Sequence, residues 1–428
     1  MRNMTKLAIY SHSIAPSIDG VCRRYTAILH ELKKQGTEVV LFTIEAEPQG
    51  LPKDLEYVTL DHMIIPAYPG KKVARPTYTM FLTILNKLKD HKPDIVHVTN
   101  DGFSHMFAMA GLLLGITVVG SYHTDLQELL SKHDAAIFQR SMIYLKEFTD
   151  SYVLDSLATT SISFKDKLAK AGIHCQHIIE TSVNMTMFHP KKRNDALREN
   201  LMFGDKAGFL CLYTGRISNE KRIDLILAAV QKLDNAYLAV VGDGPIASKF
   251  AEMHGKENRL YCKPGFFNHD ELSKFYASSD VHVSGSEFET LGNTVLEAHA
   301  CGVPVVVPLT QGFCNTVTHA EDGFLFKPGD TEDAVSYLRM LQKDPKLRTQ
   351  MGAAALKKVK KNTVESVVEN LHVWYRVGRQ RKEARSALYR TGAAVIMALT
   401  IPTGIIALGC YDLLMAFLAV FGYVPSTM

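Results

Sequence analysis

Four charged side chains in the second half of the sequence have the types and spacing to bind a phosphorylated polyol. Arg216 and Lys221 lie in "LYTGRISNEKRIDLIL" (212–227), where a strand ends, Gly215 permits close approach, and a helix follows. Two cations at such a turn can neutralise a diphosphate without a metal, because a helix N-terminus adds its own donors and dipole. Glu289 and Glu297 lie in "SGSEFETLGNTVLEAHACGVPVV" (284–306), with seven residues and Gly292 between them. A carboxylate accepts from two vicinal hydroxyls, so this pair can hold two polyols, one on each side of a phosphate at the helix start. Each feature has a plainer reading. Arg216 and Lys221 alone are ordinary loop charges, and two glutamates near a helix N-terminus are stabilised by its dipole. "GDGP" (242–245), with Gly242 and Gly244, is either a ligand approach or a turn that opens a helix.

The elements around these residues alternate. In the first 190 residues, "KLAIYS", "TEVVLFTI", "PDIVHVT" and "ITVVGS" are apolar runs separated by helical patterns such as "VCRRYTAILHELKKQG" and "FSHMFAMAGLLLG". Continuous apolar strands between helices indicate parallel sheets covered on both faces. The polar, basic segment 189–200 reads as a linker, after which the pattern restarts with "GFLCLY" and "AYLAVV". The expected architecture is α/β, with two doubly wound Rossmann-like domains facing a cleft and the ligand at the carboxyl ends of their strands. The expected boundaries are 1–188 for an acceptor-side domain and 189–365 for a donor-binding domain. A basic helical collar (366–390), a transmembrane anchor (391–411) and an apolar tail (412–428) follow.

The chain has 428 residues, too long for one core. Its formal charge of +4 gives no reason to expect nucleic acid as a partner. Seven scattered cysteines without a CxxC pair suggest reduced thiols and no zinc site. The N-terminus enters a candidate strand at once, with no room for a targeting peptide. "TGAAVIMALTIPTGIIALGCY" (391–411) carries no charge and would extend about 31 Å as a helix, enough to cross a bilayer. Arg376, Arg379, Arg381, Lys382, Arg385 and Arg390 precede it, which predicts a single-pass protein with its large portion on the cytoplasmic face. Trp374, Tyr375 and Tyr389 are expected near one headgroup layer.

The ordered set "TGRISNEK", "GDGP", "DELSKFYASSDVHVSGSEFETLGNTVLEAHACGVPVV" and "GFLFKPGD" resembles glycosyltransferase family 4, retaining enzymes of the GT-B fold, over residues 6–345. "SYHTD" and the "ETLG" version of the motif are most similar to sulfoquinovosyltransferases that make sulfoquinovosyl diacylglycerol. Bacterial mannosyl- and glucosyltransferases acting on lipids share much of the pattern. The resemblance implies that Arg216 and Lys221 hold the donor diphosphate, that Glu289 binds sugar hydroxyls and Glu297 the ribose, and that Leu291 and Gly292 present backbone amides. It further implies that Gly20 lets backbone approach the diphosphate and that His123 lies near the reacting sugar. The catalytic set is then His123, Glu289, Arg216 and Lys221. Gly20, Gly215, Gly242, Leu291, Gly292 and Glu297 complete the donor site.

The implied activity moves a sugar from a nucleotide diphosphate donor to a membrane lipid, with sulfoquinovose from UDP-sulfoquinovose to diacylglycerol first. Mannosyl or glucosyl transfer to another lipid is the alternative, and a nucleotide-sugar epimerase or a non-catalytic binder stands behind both. No cofactor or obligatory metal is expected, since no Asp-x-Asp motif lies in the donor segment. A plant-like sulfolipid enzyme would carry a plastid transit peptide, so a plastid membrane fits only if one is missing from this chain. Arg23 or Arg24 offers a cation for a sulfonate, although both read more readily as the solvated face of the first helix. "ETSVNMTMFHP" departs from the family at Ser182 and Asn184, "EAH" at His299, and "QGFCNTV" at Phe313.

Overall fold

The computed structural model describes residues 6–17, 19–64, 72–99, 104–126, 137–287, 289, 292–310 and 312–385, with Gly392 and Val395. It divides into two compact units. The first comprises the described residues up to Thr160, Lys165–Ile179 and those from Val367 onward; the second comprises Ser161–Phe164 and Glu180–Ser366.

The first unit runs β1 (Lys6–Tyr10), α1 (Gly20–Lys34), β2 (Glu38–Thr43), β3 (Glu56–Thr59), the antiparallel pair β4 (His62–Ile64) and β5 (Lys72–Ala74), α2 (Tyr78–His91), β6 (Ile95–Thr99), α3 (Ser104–Leu114), β7 (Thr117–Tyr122), α4 (Ile137–Val153), β8 (Ser156–Thr159), α5 (Ile162–Lys170) and β9 (His177–Ile178). Its described strands form a parallel sheet in the order β3-β2-β1-β6-β7-β8-β9. Strand residues alternate between the faces, so Tyr10 and Phe42 pack on Phe107 of α3 while Leu7, Ile9 and Leu41 meet Tyr25, Ile28 and Leu32 of α1.

The second unit runs α6 (Asp195–Leu201), β10 (Phe209–Thr214), α7 (Ile223–Gln231), β11 (Ala236–Gly242), α8 (Ala247–Glu252), β12 (Leu260–Pro264), α9 (His269–Ser278), β13 (Val281–Val283), α10 (Asn293–Ala300), β14 (Val305–Pro308), α11 (Phe313–Thr316), β15 (Gly323–Phe326), α12 (Thr331–Lys343) and α13 (Pro345–Val359). Its sheet is parallel in the order β12-β11-β10-β13-β14-β15. Cys211, Leu238 and Val240 pack on Ile226 and Leu338 on one face; Leu210, Leu212 and Val241 pack on Phe275, Tyr276 and Val295 on the other. Two parallel Rossmann-like sheets are therefore present, as the strand pattern predicts.

The boundaries differ from the sequence reading. Residues 180–188 join the second unit, because Val183 and Phe188 enter its core and the Val183 N–H donates to the Asn362 carbonyl at 3.0 Å. The supposed linker contains α6: Asn194 caps it by accepting from the Leu197 N–H, and Arg198 bridges Asp280 at 2.6 Å and the Gly208 carbonyl at 2.8 Å.

The larger correction concerns the collar. Helix α14 (Val364–Ala384) returns to the first unit. Trp374 and Tyr375 are fully buried there with Val367, Val368 and Leu371, beside Ile95, Val119 and Ala158. The placement of these two aromatics near headgroups is overturned by that apolar contact. A Cβ at Gly378 would stand 2.6 Å from Val119 Cγ1, so glycine, otherwise unfavourable inside a helix, lets α14 lie against β7. Three of the basic residues also contact the first unit. Arg379 pairs with Asp94 at 3.4 Å, Arg381 donates to the Asp155 carbonyl at 3.0 Å, and Arg385 donates to the Asp155 carboxylate at 3.0 Å. The anchor 391–411 and the tail 412–428 lie outside the described residues apart from Gly392 and Val395. Among the described residues no helix is long and apolar enough to cross a membrane.

Candidate functional site

The candidate residues fall into two groups, one on each unit. In the second unit, β10 is buried throughout and ends at Gly215, whose φ of 132° suits glycine. The chain then makes a 3-10 turn over Asn219–Lys221 before α7. Lys221 Nζ lies 3.4 Å from Glu289 Oε2 and 3.5 Å from Ser286 Oγ. The other oxygen of Glu289 accepts the Gly292 N–H at 3.2 Å, at the N-terminus of α10. The structure thus brings Lys221, Glu289 and Gly292 together. Glu289 also adds to burial in pushing the Tyr213 hydroxyl above its ordinary range. Arg216 is exposed on the same loop, and its carbonyl accepts from Tyr213 at 2.7 Å.

Gly292 has a φ of 80°, and a Cβ there would stand 3.0 Å from the Phe313 ring. The phenylalanine that departs from the family pattern therefore packs on this glycine. Glu297, on the next turns of α10, is buried and accepts from the Tyr276 hydroxyl at 2.9 Å. Since the Tyr276 proton goes to the carboxylate, Thr214 at the end of β10 donates its own to Tyr276. Sequence reasoning missed Tyr276 and Thr214 because they orient Glu297 from α9 and β10, far away in the chain.

Gly242 answers to a different demand. A Cβ there would be 1.9 Å from the Gly215 carbonyl oxygen, and one at Gly244 would be 2.3 Å from that of Ile217. The two loops pack backbone on backbone, with the Gly215 N–H donating to Val241 and the Ile217 N–H to Asp243. Beside them, Gly265 donates to the Gly242 carbonyl at 2.9 Å and presents Phe266, 71% exposed, at the end of β12. Leu291 lies outside the described residues.

In the first unit, His123 follows β7 and is buried. Arg24 Nη1 donates to its Nδ1 at 2.8 Å; Tyr25 Oη and Ser121 Oγ lie 2.9 and 2.8 Å from its Nε2. Burial, then Arg24, hold the imidazole well below its ordinary range, so it is neutral. Arg24 is buried as well, against the solvated placement read from α1, and burial lowers it to about 10. A basic residue turns inward here because a neutral imidazole accepts from it. Gly20 is the first residue of α1, but Asp19 caps that helix: its Oδ1 accepts from Val21 and Cys22 at 2.9 Å, and its Oδ2 from Ser13 at 2.7 Å. The Val21 and Cys22 amides beside Gly20 are therefore taken by a carboxylate of the chain itself.

Comparison with known proteins adds an independent line. Residues 18–185 match the family described as Glycosyltransferase Family 4, and residues 198–358 match Glycosyl transferases group 1. The chain is similar to the sulfoquinovosyl transferase SQD2 of Arabidopsis thaliana, 28% identical over 80% of this chain and 68% of that protein. It is 27% identical to a GDP-mannose-dependent alpha-mannosyltransferase of Corynebacterium glutamicum, over 86% of this chain and 87% of the relative. An alpha-monoglucosyldiacylglycerol synthase of Streptococcus pneumoniae is 23% identical over 86% of this chain and 85% of its own. Among solved structures, Anabaena HepE in complex with UDP superposes with a TM-score of 0.69 at 16% identity, covering 87% of this chain and 99% of that one, a likeness of fold. The chain belongs to glycosyltransferase family 4 and is a glycosyltransferase of the GT-B fold.

Proposed function

We propose that the protein transfers a sugar, with retention, from a nucleotide diphosphate donor to the hydroxyl of a membrane lipid, with UDP-sulfoquinovose and diacylglycerol as the leading pair. The observation that carries the donor half is the contact of Lys221 with Glu289 at the start of α10. An ammonium and a carboxylate beside helix amides offer one group to a diphosphate and the other to sugar hydroxyls. On this reading the donor enters between them, taking Lys221 and the Gly292 amide for its phosphates and leaving Glu289 to accept from the sugar. Arg216 adds charge from the exposed loop, and the Leu291 amide a further donor. Gly215 and Gly242 shape the turn, and Glu297, aimed by Tyr276, accepts from the ribose.

The nucleotide is assigned to the second unit and the lipid to the first, where Gly20 opens α1 and His123 follows β7. Fixed donors around the diphosphate stabilise the charge that develops as the glycosidic bond breaks. The acceptor enters on the leaving-group side, and the departing phosphate takes its proton, while His123 positions and does not act as sole base. The lipid half is supported by the relative named for a diacylglycerol product, and the uncharged segment 391–411 suits a single-pass anchor with both units on the cytoplasmic face. The mannosyltransferase relative favours GDP-mannose as a second donor.

The deciding experiment incubates detergent-solubilised protein with diacylglycerol vesicles and, separately, UDP-sulfoquinovose, UDP-glucose, UDP-glucuronate or GDP-mannose. Mass spectrometry follows the nucleotide diphosphate and the lipid. A glycolipid from one donor supports the reading and names the pair. Transfer to soluble sugars with no lipid product overturns the lipid acceptor.

A further inference from the structure

Over its second half, helix α4 inverts the pattern of a helix that meets only water. Lys146, Glu147 and Asp150 turn toward the rest of the first unit. Asp150 is fully buried and accepts from Ser104 at 2.6 Å and Tyr122 at 2.8 Å, with Lys146 Nζ 2.8 Å away, and Glu147 is buried as well. Outward the helix presents Tyr144, Leu145 and Tyr152, which are 39%, 48% and 42% exposed, with Phe148 half-buried. Tyr144, Phe148 and Tyr152 recur every four residues on one face, and successive rings stand 6.1 and 5.2 Å apart. A surface helix ordinarily sends its apolar side chains inward and its charges out.

The end of α4 is also where the chain leaves the first unit. Arg385, in the residues just after α14, donates to the Leu154 carbonyl at 2.6 Å and to the Asp155 carboxylate at 3.0 Å, at the turn between α4 and β8. The uncharged segment begins six residues later, at Thr391, a reach of about 20 Å when fully extended. That turn lies at the amino end of β8, whereas His123 follows the carboxyl end of β7. The strand β7 separates those two edges by roughly 20 Å. An anchor alone therefore holds a bilayer at the edge away from His123. Because α4 joins β7 to the parallel β8, it runs back across this distance. From Tyr152 to Tyr144 its aromatic row covers about 12 Å toward the edge that bears His123. At the Tyr144 end, the Tyr144 hydroxyl donates to the Ala171 carbonyl at 3.0 Å, next to the exposed Lys170.

We propose that the outward face of α4 lies on the bilayer, with Tyr144, Leu145, Phe148 and Tyr152 at the headgroup level, and that this contact brings the carboxyl edge of β7 to the lipid acceptor. The proposal rests on the reading of 391–411 as an anchor and of a lipid as the acceptor. Tyrosine suits that depth because its ring is apolar and its tip polar. A lysine beside the row suits an anionic headgroup. The choice of a bilayer over a second copy of the chain follows from Arg385, which fixes the start of the anchor beside Tyr152.

The test uses the full chain in vesicles of phosphatidylglycerol and diacylglycerol, with or without bromine on the acyl chains. Trp374 is the one tryptophan and is fully buried, so it serves as an unquenched reference. The emission added by Tyr144→Trp and by Tyr152→Trp should fall at least about twofold in brominated vesicles, as for rings about 5–10 Å into the interface. Tyr57→Trp, on β3 at the other edge of the sheet, should keep its emission. The double variant Tyr144→Ser, Tyr152→Ser should raise the apparent KM for vesicle lipid about tenfold, with UDP affinity held within about twofold. Quenching at Tyr152→Trp but not at Tyr144→Trp leaves only the anchor at the membrane and overturns the proposal. So does a lipid KM that the double variant does not change. Unquenched tryptophans with a detergent-stable dimer that the double variant splits would assign the face to a second copy, and overturn it too. Wild type that fails to float with vesicles sinks the anchor reading together with the proposal; flotation without quenching at Tyr144→Trp sinks the proposal alone. If wild type turns over none of the four donors, the functional reading fails while the quenching still decides which face meets the bilayer.

Discussion

Lys221 and Glu289 face each other at 3.4 Å, and the glutamate spends its second oxygen on the amide that opens α10. Each side chain is about a quarter exposed. The pair therefore adds little to stability, about 0–1 kcal/mol by the usual worth of such contacts.

Lys221→Ala and Glu289→Ala should accordingly leave the thermal midpoint almost unmoved while lowering kcat/KM about 100-fold or more, the scale of losing a group that meets developing charge. Steady-state kinetics beside calorimetry checks both halves. Wild-type turnover in either variant would remove the pair from the site.

Tyr276→Phe takes away the hydroxyl that donates to the buried Glu297 carboxylate. An unsatisfied buried acceptor costs about 1–3 kcal/mol, and the effect should appear in UDP affinity before it appears in kcat. Isothermal titration with UDP on wild type and variant measures it.

Gly242→Ala forces a methyl to within 1.9 Å of the Gly215 carbonyl oxygen. Overpacking of this kind costs about 1–3 kcal/mol, and the neighbour cannot yield without moving the loop that carries Arg216. Urea unfolding should show lower stability, with donor KM raised in the same variant.

His282 in β13 and His299 in α10 are fully buried, and burial lowers both to about 3, with Lys358 adding to the effect at His299. Their folded values lie below the ordinary value of 6.5. Above pH 6.5 neither state binds the proton and stability is flat. Below it the unfolded chain binds first, so stability falls as pH drops toward 3, by about 1.4 kcal/mol per pH unit for each histidine. His299→Leu should flatten its share of that slope, read by urea unfolding between pH 7 and 4.5.

Much of the second unit is legible in sequence because its signals are local. Strand, glycine turn and helix follow one another within 15 residues at Gly215 and again at Gly292. What escapes is long-range. Tyr276 reaches Glu297 from another helix, and Arg24 looks like surface charge until β7 delivers His123 beneath it. Trp374 and Tyr375 stand close to an uncharged segment in sequence, and that proximity alone suggests a membrane boundary. Their partners, Ser156 and His97, lie more than 200 residues earlier.

That return of α14 has a consequence for how the protein is made. The face of the first sheet that receives Trp374 and Tyr375 is complete in sequence by Ile179, but the helix that covers it emerges about 200 residues later. At ordinary translation rates the ribosome needs about 10–40 s to supply it. For that interval the nascent first unit carries an uncovered apolar flank, a surface for chaperones to shield until α14 closes it.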